Sequence, residues 1–216
     1  MSKKYEIFLF DLDGTITDSA LGITNSVMYA LKKFGIEETD RTKLYKFIGP
    51  PLTESFEKFY SFTKEQSLDG VKYYREYYHD KGIYENRVYD GLEEVLKKIN
   101  EAGKQAIVAT SKPEKYAKII IDHFHLTKYF ACVAGMEMDG GRGTKAQVIT
   151  YALEKNDITD KSKVLMIGDR EHDVIGAHEN GLDCLGILYG FGSRKEFEEA
   201  GADYIRENVE DILQFV

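Results

Sequence analysis

The chain has 216 residues, of which 43% are hydrophobic, and this suits one sizeable core or one core with a small second domain. Its formal net charge of -8 argues against a general binder of nucleic-acid polymers or anionic membrane surfaces. No apolar stretch approaches the roughly 20 residues of a transmembrane helix, so we expect no membrane contact. The two cysteines, Cys132 and Cys184, lie in apolar segments and are expected to be buried thiols in a reducing cytoplasm.

The first predicted strand leads directly into a pair of carboxylates. An apolar run at residues 7–10 is typical of a buried parallel strand, and Asp-Leu-Asp-Gly-Thr follows at residues 11–15. Residues two apart on an extended chain face the same side, so Asp11 and Asp13 can share one site at the carboxyl end of the strand. Such close carboxylates repel each other unless a cation or a proton lies between them. The alternative is a turn with two solvated aspartates.

The next long stretch, up to about residue 84, carries only helical signals. Apolar residues at three- and four-residue steps predict a first helix ended by Gly35, and a second short helix is predicted before Gly49. Thr63 and Gln66 predict a capping box at the start of a third helix. A crossover between parallel strands needs only about a dozen residues. We therefore predict a helical cap domain at residues 17–84, inserted into a core of residues 1–16 and 85–216.

From residue 90 onward, predicted strands alternate with predicted helices. This alternation indicates an α/β fold with a doubly wound, Rossmann-like parallel sheet. Pro113 is predicted at the first position of one helix, Thr144 is predicted to cap another, and a third is expected to begin near Val174. The predicted strands are residues 105–109, 131–134, 164–167, 185–188 and 204–205.

Polar groups follow several of these strands, where parallel strands present their carboxyl ends to a ligand. Thr110 and Ser111 follow the second strand, Lys145 begins a helix, and Asp169 and Asp173 follow the fourth strand. Lys112, between Ser111 and Pro113, is interpreted as a solvated loop residue. Ser111 has two open interpretations, because Glu114 lies three residues later: it caps a helix, or it contacts a ligand.

These groups together resemble the haloacid dehalogenase (HAD) superfamily of phosphohydrolases, and most closely its phosphoglycolate phosphatase-like branch. Four motifs carry the resemblance: Asp-Leu-Asp-Gly-Thr at 11–15, the hydroxyl within 109–112, Lys145, and Gly-Asp-Arg-Glu-His-Asp at 168–173. The Gly-Pro-Pro-Leu run at 49–52 supports that branch. One departure is that residues 140–144, Gly-Gly-Arg-Gly-Thr, replace the common Lys-Pro-x-Pro run before the lysine.

The resemblance implies a Mg²⁺-dependent phosphatase that acts through an aspartyl-phosphate. Asp11 would be the nucleophile and Asp13 the general acid and base. Asp11, Asp169 and the backbone carbonyl of Asp13 would bind the metal, with Asp173 in support of the metal waters or of Lys145. The phosphoryl oxygens would be bound by Thr110, Ser111 and Lys145. The expected partner is a small phosphorylated metabolite, such as a phosphoglycolate-like compound, a nucleoside monophosphate or a sugar phosphate, and the expected protein is a monomer or homodimer.

Several alternatives remain open from the sequence. A phosphotransferase of the β-phosphoglucomutase type would use the same core, whereas a receiver-like phosphoacceptor would lack the inserted cap. Asp173 could be no more than an acid favoured at a helix start. The loop at residues 49–52 either presents a stiff surface to the leaving group or only joins two cap helices.

Overall fold

A computed structural model of the chain describes residues 4–138 and 141–216. Asp139 and Gly140 lie outside the described residues, so part of the run that replaces the Lys-Pro-x-Pro pattern is not described. The chain divides into two compact units. One contains the residues up to Thr17 and Val88–Val216, and the other contains Asp18–Arg87.

The larger unit is built on a parallel sheet, as the sequence predicts. Within the described residues six strands form this sheet, in the order β5-β4-β1-β6-β7-β8, and each described pairing is parallel. These strands are β1 (Ile7–Phe10), β4 (Gln105–Pro113), β5 (Phe130–Met136), β6 (Val164–Gly168), β7 (Asp183–Ile187) and β8 (Tyr204–Arg206). The strand order reverses beside β1, and open parallel sheets bind ligands at such a reversal.

Helices connect these strands and bury both faces of the sheet. They are α4 (Leu92–Glu101), α5 (Glu114–His123), α6 (Lys145–Lys155), α7 (Glu171–Glu179) and α8 (Arg194–Ala200). Leu9 packs with residues of α6 and α7, including Val148 and Val174, in one apolar cluster. Its neighbours Phe8 and Phe10 are also fully buried and face the opposite side, because successive strand residues alternate. The continuous apolar sequence of β1 is therefore explained by burial on both sides.

The smaller unit is helical. It contains α1 (Ala20–Lys33), a 3₁₀ segment at Arg41–Phe47, α2 (Leu52–Tyr60), α3 (Lys64–Tyr77) and a π-helical turn at Tyr78–Gly82. Aromatic rings fill much of its interior. The buried rings of Phe47 and Phe56 pack edge to face, with their centroids 5.1 Å apart. The two segments where the chain passes between the units, β2 (Thr17–Asp18) and β3 (Arg87–Val88), pair as a short two-stranded sheet.

Most of the predicted elements are confirmed, and their ends account for most of the differences. The capping box at Thr63 and Gln66 is present. The prediction for Pro113 is wrong, because β4 continues to this residue and Pro113 is the N-cap of α5. Helix α7 begins at Glu171, ahead of the expected Val174. Leu52 begins α2 and is not part of the preceding loop. Cys132 and Cys184 are buried and free, as expected.

Candidate active site

Asp11 directly follows β1, the strand at which the order of the sheet reverses. Its backbone N–H donates to the carbonyl of Ile167 on β6 at 2.9 Å, so the chain is still paired at this position. The side chain of Asp11 is only 7% exposed. The sheet therefore presents a buried carboxylate at its carboxyl edge.

Lys145 reaches this carboxylate from the start of α6. Thr144 caps the helix, because its hydroxyl accepts from the backbone N–H of Gln147 at 3.2 Å. The Lys145 ammonium donates to Asp11 Oδ1 at 2.6 Å and to the carbonyl of Ala109 at 2.9 Å. It also lies 2.7 Å from Asp173 Oδ1. Two hydrogen bonds and an ion pair with Asp173 explain how a lysine is accommodated in a buried site.

Asp169 and Asp173 complete a cluster of acids at the end of β6. Among the described residues, one carboxylate oxygen each from Asp11, Asp169 and Asp173 lie within 4.8 Å of one another. Asp169 Oδ2 accepts from the backbone N–H of Phe191 at 2.8 Å. Asp173 Oδ2 accepts from the backbone N–H of Arg170 at 3.1 Å, so Asp173 also stabilises the start of α7. Asp173 thus contacts both Lys145 and the start of α7, and its support of metal waters remains a prediction.

Gly14 allows the loop after β1 to approach this cluster. Its φ of +85° is a left-handed conformation that favours glycine. A Cβ atom at this position would lie 2.1 Å from Asp169 Oδ2, far inside van der Waals contact. The glycine of the first motif is therefore required both by the turn and by the space that the Asp169 carboxylate occupies.

The electrostatics of the cluster favour neutralisation of its acids. Burial raises the pKa of Asp11 to about 6; Lys145 opposes this shift, and Asp173 and Asp13 add to it. Burial, with the neighbouring Asp173 and Asp11, raises the pKa of Asp169 well above its ordinary value. Burial alone would lower the pKa of Lys145, but Asp11 and Asp173 outweigh this effect and raise it. Lys145 therefore stays charged, but its single positive charge does not balance the carboxylates of the cluster.

The donor set fits a hard divalent cation. Asp169 Oδ1 is buried and has no hydrogen-bond partner within residues 4–138 and 141–216. Among the residues that the structure describes, the four site acids, Asp11, Asp13, Asp169 and Asp173, face two buried ammonium groups, those of Lys112 and Lys145. If all six groups are charged, two negative charges remain. Mg²⁺ prefers carboxylate and carbonyl oxygens as ligands, so its charge and its ligand preference both suit this site.

The interpretation of Lys112 as a solvated loop residue is wrong. Its side chain is 6% exposed, and its ammonium donates to Asp13 Oδ2 at 2.7 Å. The Asp13 carboxylate is thereby directed to a lysine and is not part of the three-acid cluster. A metal contact of Asp13 through its backbone carbonyl remains a prediction.

Thr110 and Ser111 lie in the last part of β4. The Thr110 hydroxyl is buried and accepts from the backbone N–H of Lys112 at 3.2 Å, which leaves its own hydrogen as a donor. The capping interpretation of Ser111 is wrong, because Pro113 is the N-cap of α5 and no side chain caps that helix. Phosphate contact by Thr110 or Ser111 remains a prediction.

The sequence interpretation missed two interactions of the site. Pro113 favours an extended conformation at the preceding residue, but nothing in the local sequence indicates that Lys112 contacts Asp13. The bond from the Phe191 N–H to Asp169 had no sequence signal, because it is made by a backbone group distant in the chain. The described residues form no helix that is both long enough and apolar enough to cross a lipid bilayer.

Comparisons with known proteins agree with this geometry. A sequence model described as haloacid dehalogenase-like hydrolase matches residues 8–187. A 5'-nucleotidase of Pseudomonas aeruginosa is 44% identical over 89% of this chain and 87% of its own length. A phosphoglycolate phosphatase of Vibrio parahaemolyticus is 22% identical over 98% of this chain and 96% of its own length. The crystal structure of a predicted phosphatase from Clostridium acetobutylicum has 47% identity and a TM-score of 0.94, with 98% of each chain covered.

Proposed function

This chain belongs to the haloacid dehalogenase-like hydrolase family and is a phosphoric monoester hydrolase, and from that premise we propose that it is a Mg²⁺-dependent phosphatase of nucleoside 5'-monophosphates. The observation that carries the proposal is the buried Asp11 carboxylate, paired with Lys145 and crowded by Asp169 and Asp173. The comparisons favour a phosphatase over a phosphotransferase of the β-phosphoglucomutase type.

The reaction begins with attack of an Asp11 oxygen on the phosphorus atom. The bond from phosphorus to the ester oxygen breaks as the bond to Asp11 forms, which gives an aspartyl-phosphate. Asp13 donates a proton to the departing ester oxygen, so that an alcohol leaves in place of an alkoxide. Lys145 holds the other Asp11 oxygen and directs the nucleophile, while its charge favours the anionic phosphoryl group.

The second half of the reaction returns the enzyme to its starting state. Asp13, now a carboxylate, accepts a proton from a water molecule that attacks the phosphorus. The bond between phosphorus and Asp11 breaks and inorganic phosphate is released. Thr110, Ser111 and Lys145 act on the equatorial phosphoryl oxygens through both halves.

Asp11, Asp169 and the backbone carbonyl of Asp13 would hold Mg²⁺, and Asp173 would support the metal waters and Lys145. The bound ion would supply positive charge that reduces the repulsion between the phosphate dianion and the Asp11 carboxylate. The unsatisfied Asp169 Oδ1 supports this assignment.

The preference for nucleotides rests on the relative described as a 5'-nucleotidase, at 44% identity against 22% for the phosphoglycolate phosphatase. We assign the choice of leaving group to the helical unit, Asp18–Arg87, because the groups of the larger unit can act on any phosphoryl group. We also propose a cytoplasmic location, which the free cysteines Cys132 and Cys184 support.

The test is phosphate release from a panel of substrates in the presence of Mg²⁺. The panel contains nucleoside 5'-monophosphates, the matching 3'-monophosphates, phosphoglycolate, hexose phosphates and p-nitrophenyl phosphate. We expect the highest kcat/KM for a 5'-monophosphate and a clear loss for its 3' isomer. A higher kcat/KM for phosphoglycolate or a hexose phosphate would overturn the nucleotide assignment. Transfer of the phosphoryl group to a sugar, without release of phosphate, would overturn the hydrolytic function.

A further inference from the structure

We propose that Lys112 is a positioning residue for the general acid and base: it holds one oxygen of the Asp13 carboxylate and leaves the other for proton transfer. The inference rests on the proposed function, in which Asp13 exchanges protons with the leaving group and with water. It extends that function to a lysine to which none of the four motifs assigns a role.

The contact is short and enclosed. Lys112 Nζ lies 2.7 Å from Asp13 Oδ2, and the two side chains are 6% and 11% exposed. A charge-assisted hydrogen bond in such surroundings is stronger and more directional than one at the surface. The carboxylate of Asp13 is thereby restricted to one orientation.

The second oxygen of the same carboxylate is in a different situation. Asp13 Oδ1 is buried and accepts no hydrogen bond from any residue in the described part of the chain. A buried carboxylate oxygen without a donor is costly, and a reacting hydroxyl or water can satisfy it. The two oxygens of Asp13 are therefore distinguished, with Oδ2 held by the protein and Oδ1 available for the reaction.

The backbone around Lys112 is shaped to make this contact. In the pairing of β4 with β5, Thr110 lies opposite Gly135 and Pro113 lies opposite Met136, so Ser111 and Lys112 form a bulge. Bulges redirect side chains and are common beside active sites. Pro113 also disfavours a helical conformation at the residue before it.

Gly135 provides the space that this bulge occupies. A Cβ atom at residue 135 would lie 2.6 Å from the Lys112 carbonyl oxygen and 2.6 Å from the Glu114 Cα atom. The bulge also brings the Lys112 N–H to the Thr110 hydroxyl at 3.2 Å. One irregularity at the end of β4 thus orients both a predicted phosphate contact and the lysine that holds Asp13.

The test compares Lys112→Met and Lys112→Arg with Lys118→Met, a control at an exposed lysine of α5 whose ammonium pairs with Glu114. The measurement is kcat/KM for a nucleoside 5'-monophosphate and for p-nitrophenyl phosphate with Mg²⁺ present. Both values report the steps through phosphoenzyme formation. Only the nucleotide has a poor leaving group that requires a well-placed acid, and misplacement of a catalytic group by about 1 Å can cost about 100-fold.

For Lys112→Met we expect a loss of about 10- to 100-fold in kcat/KM for the nucleotide and less than about 3-fold for p-nitrophenyl phosphate. We expect Lys112→Arg to recover part of the nucleotide rate, because a guanidinium also donates to a carboxylate. In an Asp13→Asn background, Lys112→Met should cause little further loss. If Lys112→Met does not fold, the selective loss in Lys112→Arg decides the same question.

Equal losses on both substrates, or a full additional loss in the Asp13→Asn background, would overturn the positioning role. A wild-type rate in both Lys112 variants, with Asp13→Asn still impaired, would reject this inference and leave the proposed function intact. A wild-type rate in Asp13→Asn itself would instead reject the proposed role of Asp13.

Discussion

Nζ of Lys145 lies 2.6 Å from Oδ1 of Asp11, although the two residues are 134 positions apart in the chain. Asp11 is presented by the central strand β1 and Lys145 by the first residue of α6. The contact joins the proposed nucleophile to a buried cation that a second acid, Asp173, also holds. Each of these groups has a distinct expected effect when it is removed.

Asp11→Asn should abolish both turnover and phosphoenzyme formation, because an amide is a poor nucleophile. The fold should be retained, since the change removes one of three crowded acids. Phosphate release and mass spectrometry of acid-quenched enzyme measure the two effects. Asp122→Asn, at an exposed position of α5, is the matched control and should keep the wild-type rate. Substantial turnover by Asp11→Asn would mean that another group is the nucleophile.

Asp13→Asn should lower kcat by about 10²- to 10⁴-fold, the usual contribution of general acid and base catalysis. The loss should be smaller in kcat/KM for p-nitrophenyl phosphate, whose leaving group does not need a proton. Steady-state kinetics on both substrates measure the difference. An equal loss in kcat/KM on the two substrates would argue that Asp13 acts in another way.

Removal of the metal should stop the reaction. EDTA is expected to abolish phosphate release and added Mg²⁺ to restore it, while Ca²⁺ should be a poor substitute because it takes more ligands at longer distances. Asp169→Ala should raise the Mg²⁺ concentration needed for half-maximal activity sharply. A metal titration of the wild type and the variant measures this. Full activity in the chelator would contradict the metal assignment.

The stabilising effect of Mg²⁺ should depend on pH. The pKa of Asp11 in the folded protein is about 6, above its ordinary value of 3.8, and that of Asp169 is also raised. A raised acid pKa favours the fold below the unfolded value, and this contribution is lost as the pH rises through about 6. The metal-free protein should therefore lose stability from these acids between about pH 4 and pH 7.

Mg²⁺ binds the ionised acids and should offset that loss. At about one hundred times its dissociation constant, a ligand adds about 2.7 kcal/mol, which corresponds to about 5–10 °C in Tm for a chain of this size. We expect this increase in Tm on addition of Mg²⁺ near pH 7.5, and a much smaller increase near pH 5. Thermal melts with and without Mg²⁺ at both pH values test this prediction, and the Asp169→Asn variant serves as the comparison. An increase in Tm that does not depend on pH would show that the ion binds at another site.

Lys145→Met should impair both stability and catalysis. Loss of one partner from a buried ion pair typically costs about 3–5 kcal/mol, because the remaining charges are left uncompensated. The cost should be smaller with Mg²⁺ present, since the ion neutralises the same acids. Urea melts with and without Mg²⁺ measure this difference. An equal cost in both conditions would indicate that the metal and Lys145 do not share the Asp11 carboxylate.

The loop before α2 offers a test of substrate choice in the helical unit. Replacement of residues 49–51 by Gly-Ser-Gly, with Leu52 retained because it begins α2, should change KM and the ranking of nucleotides. Activity on p-nitrophenyl phosphate should change much less. Equal losses on all substrates, with the fold preserved, would indicate that the loop serves closure or stability.

The sequence alone was enough to predict the class of fold and to place most of the candidate site residues at the carboxyl ends of strands. The apolar run before Asp11 is continuous because β1 is buried on both faces, and that signal is local. Alternating strands and helices imply a parallel sheet, and a parallel sheet gathers its strand ends at one edge. The pattern alone therefore predicts that one edge of the sheet carries Asp11, Thr110 and Asp169.

The partners of each acid depend on tertiary packing and could not be predicted from the sequence. The local pattern was compatible with a solvated Lys112 and a capping Ser111, and both interpretations failed because β4 continues through a bulge to Pro113. That bulge depends on the space at Gly135 of the neighbouring strand, which no property of residues 110–113 encodes. In the same way, Lys145 reaches Asp11 and Asp173 only because α6 packs beside α7. Propensity and periodicity act over a few residues, whereas these contacts depend on how distant elements pack.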